Sequence, residues 1–508
     1  HNPIEWQGIK YSPQDGCPAP TLVTDWIAAR ANRLQLINIE LPSINLDLAE
    51  KQGKVKKFDP LREYSEWLLL KEKNLRTDMI KNYFIDKVVV IDEMHGAGRG
   101  YFKQIFDKLN IKYKLVHGWR DPRLGNLEYA NPEEPFLTEC IQKVKDTKAT
   151  LGLALDTDAD RYGVVAEDGT YFRPNQIMAL LTDYLIRYKR YKGKVIRTVT
   201  TSLAVDKVAR ENKKNVTAPD KNVVPAYIEH PFYELNVGKK ESIINLPVYV
   251  VMVGIKYVIE GMQANLFYQV PIELDPKYRE SIIIGGEESG SFTSKGHLPD
   301  KDGIWAGLNI MEMVAAHKKP LSQIWDDFME KYGRVHSHRV DVDACDEAKD
   351  RLIDFYLCSP SEELKKRKIG GLKIVYLGGV RYDLVEMTLE DEETKKQSRL
   401  IIRASGTEPL SRIYTESESE EIRKNLEIEA LRTLEEISAE MISKAHSSWR
   451  LVEILVVTEA SEQLMKEVIK KIDSMSLNEV LYMLEKRKKS MEERNKKIAD
   501  KWLSMLKM

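Results

Sequence analysis

KVVVIDEMHGAGRGYFKQIFDKLNIKYKLV, residues 87–116, sets strand and helix patterns on either side of a glycine-rich turn. KVVVID is an apolar, β-branched run and MHGAGRG a glycine-rich turn; YFKQIFDKL then has apolar residues at helical spacing, and IKYKLV returns to a strand pattern. Strand, turn, helix, strand is a βαβ unit, whose two strands run parallel. The alternation continues downstream. The helical pattern FLTECIQKVKD is followed by the strand LGLAL (151–155), a loop, the strand YGVVA, the turn Glu167-Asp168-Gly169 and the helix QIMALLTDYLI. After the basic link RYKRYKGK (187–194), VIRTVTTS and LAVDKVAREN open a further α/β region. Near residue 335 the pattern changes to shorter strands (RVDVD, LKIVYL, RLIIR) with helices between them, which predicts a smaller α+β domain.

At 508 residues the length favours about three or four domains. With 43% hydrophobic residues the chain can bury several cores, and the balance of 78 basic against 79 acidic residues leaves no global field to attract nucleic acid or anionic lipid. Cys17, Cys140, Cys345 and Cys358 form no CxxC pair, so neither a zinc site nor a disulfide framework is expected, and a cytoplasmic location fits. The most apolar stretch, 246–255, is too short to span a bilayer, so no membrane embedding is expected. No signal peptide is read at His1. From Leu477 a 4,3 spacing of Leu477, Leu481, Leu484, Met491, Ile498, Trp502 and Met505 is interrupted by Lys488 and Asn495. That predicts one long amphipathic helix packing on its own protein rather than a dimeric coiled coil, with an oligomer through this helix left open.

Three motifs carry chemistry. In LDTDADRYG, Asp156, Asp158 and Asp160 alternate after an apolar strand, and three carboxylates so close together can converge on one hard divalent cation. An EF-hand is excluded because position six is Arg161 instead of glycine and both flanks read as strands. Arg161 beside a metal suits phosphoryl chemistry, in which both neutralise charge. In LIIRASGTEP, Arg403 at a strand end precedes Ser405, Gly406 and Thr407, a set of donors suited to phosphate. Buried at that strand end, Arg403 needs a partner, either phosphate or Glu408. In IIIGGEESGS, Glu287 and Ser289 on a glycine-flanked loop suit a sugar diol. MHGAGRG lacks the spacing of a dinucleotide fingerprint, so that fold is only an outside reading.

Taken in order, HNPIEWQGIKYS, DTDADR, VGIKYV, GEESGS with KGHLPDKDG, and RASGTEP resemble the α-D-phosphohexomutase family, particularly its phosphoglucomutase and phosphomannomutase branch. The resemblance covers about residues 1–440. It implies three α/β domains, the first incomplete, and a smaller α+β domain around a central cleft, here followed by a helical tail. The expected boundaries are 1–55, 56–190, 191–325, 326–445 and 446–508. It further implies Mg²⁺ on Asp156, Asp158 and Asp160, a phosphoserine donor, and glucose 1,6-bisphosphate as intermediate. Lys10 would be the general base and acid, with its pKa lowered by nearby cations or desolvation, and His1, directly after the phosphoserine, would be catalytic with it. Glu287 and Ser289 would hold ring hydroxyls, Arg403, Ser405, Gly406 and Thr407 the distal phosphate, and Arg161, Lys256 and His297 would line the same cleft.

Departures accompany the match. The family's serine directly precedes His-Asn-Pro, and here His1-Asn2-Pro3 opens the chain, so the chain beginning at His1 is expected to lack the nucleophile and to turn over no hexose phosphate. Thr157 stands where many members have glycine, and 217–247 looks inserted before VGIKYV. GEESG resembles the glucose branch more than the GEMSG of bifunctional mannose enzymes. The expected substrate is therefore glucose phosphate, with a phosphomannomutase or an inactive sugar-phosphate-binding remnant as alternatives.

Overall fold

The structure, a computed structural model, describes all residues except 1–8, 14–15, 20, 38–42, 72, 128–129, 220–232, 239–246, 264–280, 407–408, 446–447, 456–457, 459–461, 473–475, 489–492 and 508. The chain divides into two compact units: His1–Asp220 with Leu246–Tyr332, and Lys221–Asn245 with Gly333–Met508.

In the first unit, β1 (Val88–Asp92), β2 (Lys112–Val116), β3 (Leu151–Leu155), β4 (Tyr162–Ala166) and β5 (Tyr171–Phe172) form a sheet of order β2-β1-β3-β4-β5. The βαβ reading holds: β1 pairs parallel with both β2 and β3, and the helix Tyr101–Leu109 connects β1 to β2. β3 and β4 are buried throughout, as strands packed on both faces must be, and they run antiparallel with the aspartate loop between them. A second sheet contains β6 (Lys194–Thr198), β8 (Tyr249–Val251), β9 (Ile282–Gly286) and β10 (Phe292–Ser294) in the order β10-β9-β6-β8. The helix Gly303–His317, almost wholly buried, packs against β3, β4 and β10 and so touches both sheets. Its first turn is capped by Asp302, which accepts from the Ile304 and Trp305 amides. In residues 1–55 the described elements are the helices Thr21–Leu36 and Leu46–Lys51.

The second unit is built on an antiparallel sheet of β11 (His336–Asp343), β12 (Lys368–Ile369), β13 (Leu372–Val380), β14 (Leu384–Glu390), β15 (Gln397–Ala404) and β16 (Leu410–Ser417), ordered β11-β16-β15-β14-β13-β12. A further strand, β7 (Tyr233–Val237), pairs with β13. The helices Asp346–Leu357 and Glu420–Ser443 pack on this sheet.

The tail corrects the sequence reading. There is no single long helix: Leu477–Lys488 and Glu493–Lys507 are separate and pack on each other. Lys507 Nζ lies 2.6 Å from Glu485 Oε1. Twenty-two residues of straight helix would hold those positions roughly 33 Å apart, so the chain must fold back between them. Nor is the tail an appendage. Leu451, Val468, Leu484 and Trp502 belong to the same apolar core as β13, β14 and β15. Trp502 is fully buried, and its indole N–H donates to the Thr458 carbonyl. The interrupted stripe is thus absorbed within the unit. Met491 lies outside the described residues. No described helix is long and apolar enough to cross a membrane, and no disulfide joins any of the four cysteines.

Trp502→Ala should destabilise the second unit by about 3 to 5 kcal/mol, the scale of deleting a buried large aromatic side chain. Thermal melting checks this, and a loss below about 0.5 kcal/mol would mean the tail is not part of that core.

Candidate metal, sugar and phosphate sites

The aspartate loop owes its shape to backbone packing. The Ala97 amide donates to the Thr157 carbonyl at 2.7 Å, and the Gly303 amide donates to the Ala159 carbonyl at 2.9 Å. Both approaches need glycine: a Cβ on Gly96 would fall 2.6 Å from the Thr157 backbone, and one on Gly303 would fall 2.4 Å from the Arg161 carbonyl oxygen. MHGAGRG is therefore a brace for this loop, which accounts for the glycines without a dinucleotide. Within the loop, Asp156 Oδ1 accepts from the amides of Asp160 and Arg161 at 2.9 and 3.0 Å.

So held, one oxygen each of Asp156, Asp158 and Asp160 lie within 4.8 Å of one another. Asp156 Oδ2 and Asp160 Oδ1 are buried and accept no hydrogen bond. Buried carboxylate oxygens left without donors, in an all-oxygen set of three, fit a hard divalent cation such as Mg²⁺. The electrostatics agree. Burial, with the charges of Asp160 and Asp158 adding to it, pushes Asp156 up to about 7. Two ammonium groups offset the excess negative charge: Lys10 Nζ is 3.0 Å from Asp158 and 3.6 Å from Asp160, and Lys301 Nζ is 2.7 Å from Asp160. Burial would raise the Asp158 pKa, yet the Lys10 ammonium holds it well below the usual carboxylate range. Arg161 Nε lies 3.9 Å from Asp156.

Lys10 corrects one expectation. Desolvation alone would lower its pKa, but the hydrogen bond to Asp158 and the surrounding carboxylates outweigh that and raise it. The expected cation beside it is a carboxylate cluster, so Lys10 is held protonated. Lys301 was missed in the sequence, although KGHLPDKDG was singled out; nothing in the spacing alone marks its reach to Asp160.

The sugar-loop candidates are in the same unit. The Tyr162 amide, one residue past Arg161, donates to the Gly290 carbonyl at 3.2 Å and ties this loop to the end of the aspartate loop. Gly290 has φ +87°, and a Cβ there would meet the Tyr162 carbonyl oxygen at 2.8 Å. Glu287 is buried, and desolvation followed by the charge of Glu288 raises it to about 7 against the opposing charges of Lys301 and Arg161. Ser289 Oγ faces Ser291 Oγ at 3.4 Å. Glu288, not singled out in the sequence, accepts from Thr200 at 2.6 Å. His297 is 1% exposed, stacked on Trp305 with Nε2 3.1 Å from Asp302, and its Nδ1 is buried without a hydrogen-bond partner. Lys256 sits at the start of the helix Ile255–Gln263 with its ammonium 4.8 Å from the Tyr257 ring centre.

Arg403, Ser405 and Gly406 belong to the second unit. Arg403 lies on β15 near its end, with Nε 3.4 Å from Asp383 Oδ1, so the acid beside it comes from the β13–β14 turn; Glu408, like Thr407 and His1, lies outside the described residues. The Ala404 amide donates to the Asp383 carbonyl at 2.7 Å. Lys349, buried on the helix Asp346–Leu357, donates to the Ser405 carbonyl at 2.8 Å. Neither Asp383 nor Lys349 is legible from sequence, because only the fold brings them to the loop.

Family models for phosphoglucomutase/phosphomannomutase match as α/β/α domain II over residues 70–169, α/β/α domain III over 173–225 and 241–332, and the C-terminal domain over 347–432. The chain belongs to the α-D-phosphohexomutase family. It is 26% identical over 444 residues to a phosphoglucomutase of Komagataeibacter xylinus, covering 82% of this chain and 68% of that one. To a phosphoglucosamine mutase of Carboxydothermus hydrogenoformans it is 25% identical, over 86% of this chain and 77% of the relative. Among solved structures, the phosphoglucomutase pp63/parafusin of Paramecium superposes with a TM-score of 0.59 at 20% identity, over 85% of this chain and 74% of that one.

The raised Glu287 yields a pH signature. Its folded pKa of about 7 exceeds the ordinary 4.5, so the stability it contributes is complete below about 4.5 and is lost as pH rises through about 7. Between about pH 5 and pH 8, wild-type stability should therefore fall relative to Glu287→Gln by on the order of 2 to 3 kcal/mol, read from melting curves. Parallel curves would show that this carboxyl is not held neutral.

Proposed function

We propose that this chain carries the metal, sugar and phosphate sites of a mutase that interconverts glucose 1-phosphate and glucose 6-phosphate, with glucose 1,6-bisphosphate as intermediate. The observation that carries the reading is the three-carboxylate cluster, with its orphaned buried oxygens, tied by the Tyr162–Gly290 hydrogen bond to the Glu287–Ser289 loop. Asp156, Asp158 and Asp160 would hold Mg²⁺, which when bound neutralises charge on phosphoryl oxygens. The protein's own groups do the rest. Arg161 and Lys301 add positive charge around the aspartate loop, where phosphoryl oxygens collect negative charge. Lys10 Nζ, protonated beside the aspartates, gives its proton to the sugar oxygen as that oxygen leaves phosphorus and takes it back when the hydroxyl attacks. Glu287 and Ser289 accept from and donate to ring hydroxyls, and because the bisphosphate must bind in two orientations, these contacts go to hydroxyls shared by both poses. Arg403, with Ser405, Gly406 and Thr407, takes the distal phosphate. The choice of glucose rests on GEESG, and glucosamine and mannose phosphates are the competitors to test.

Calorimetry with glucose 1,6-bisphosphate and Mg²⁺ tests the reading. Arg403→Ala should weaken bisphosphate binding by roughly tenfold to a hundredfold with little change in melting temperature, the effect of one lost charge-assisted contact. Asp158→Asn should weaken Mg²⁺ binding. Destabilised Arg403→Ala protein with wild-type affinity would make the Asp383 contact the whole role of that arginine, and preference for mannose or glucosamine phosphate would overturn the choice of sugar.

A further inference from the structure

The insertion expected before VGIKYV is part of the phosphate-loop unit. The domain III family model skips residues 226–240, and β7 lies inside that gap. Although its flanking sequence belongs to the first unit, residues 221–245 belong to the second, so the chain passes from one unit to the other and back before its final passage near residue 332. β7 pairs antiparallel with β13, Val380 opposite Tyr233, Gly379 opposite Glu234 and Leu377 opposite Val237. Val237 is buried in the unit's core.

That pairing falls at a weak point. On the side of β13 away from β14, β12 covers only Leu372 and Lys373, and the end covered by β7 contains Gly378-Gly379. Adjacent glycines add no cross-strand side-chain packing, and a bare edge there would leave its backbone groups without ladder partners. Gly379 cannot be replaced to stiffen the strand, because a Cβ would sit 2.2 Å from the Leu384 carbonyl oxygen. The register then links the insertion to the candidate phosphate loop. One row across the sheet runs Tyr233, Val380, Leu384, Arg403, Arg412. The turn between Val380 and Leu384 carries Asp383, whose carbonyl and carboxylate hold Ala404 and Arg403.

We propose that β7 is a positioning element: by completing the edge of β13 it fixes the β13–β14 turn, and through it the placement of Arg403. The functional half of this proposal rests on reading Arg403 as a phosphate ligand. In the full chain, residues 226–240 are replaced by a glycine/serine linker of equal length, with Val237→Ala as a milder second variant. Hydrogen exchange is followed over 372–404, and bisphosphate and Mg²⁺ affinities are measured. The expected result is exchange about tenfold faster in β13 and at the Leu384–Arg403 pairing, with bisphosphate binding weakened several-fold and Mg²⁺ affinity unchanged. Val237→Ala should move the same quantities less. Unchanged exchange in β14 and β15 overturns the proposal, as does faster exchange with unchanged bisphosphate affinity where Arg403→Ala does weaken binding. If Arg403→Ala binds as wild type, the phosphate reading itself fails, and exchange alone then decides whether β7 holds that row.

Discussion

Three carboxylates on one short loop repel one another, and the hydrogen bonds that Asp156 accepts within the loop need support from outside it. Here it is held by backbone on two sides. Ala97 and Gly303 donate to the carbonyls of Thr157 and Ala159, and Gly96 and Gly303 lie where any side chain would collide with the loop. The brace from the β1 loop places Asp156, Asp158 and Asp160 in reach of one cation, and the one from the buried helix Gly303–His317 ties the same loop to the element that packs between the two sheets of the unit. Preorganisation of this kind lets a binding site tolerate charge crowding before its ligand arrives.

The charge balance follows from that geometry. Lys10 and Lys301 stand against the aspartates, while burial and the neighbouring Glu288 push Glu287 toward neutrality against the charge of Lys301. These groups respond to each other, so the proton held by Lys10 depends on how the carboxylates are satisfied. The second unit solves a different problem: its arginine is held on a sheet by a turn acid, and the loop that follows is held at the Ser405 carbonyl by a buried lysine from a helix, with the tail and β7 completing the unit's core and the edge of its sheet.

Much of this was legible in the residues, for physical reasons. The apolar runs of β1 and β3 read as buried parallel strands because both faces are covered, and the aspartate alternation read as a cation site because three carboxylates so close together repel. What escaped depends on distant pairings. Lys301 and Lys349 are unremarkable until the fold brings them beside Asp160 and Ser405. The tail stripe promised one helix because a 4,3 spacing is blind to a reversal near Lys488, and β7 was hidden because pairing with a strand about 140 residues away leaves no local trace.

Glycine packing, and not the carboxylates alone, makes the candidate cation site. Titrating Mn²⁺ as a paramagnetic substitute for Mg²⁺ into the wild-type chain and Gly96→Ala, followed by electron paramagnetic resonance, tests it most directly. The account predicts one saturable site in the wild type and at least about tenfold weaker binding in a still-folded Gly96→Ala, because the new methyl group must displace Thr157. Equal affinity in the two proteins would contradict it.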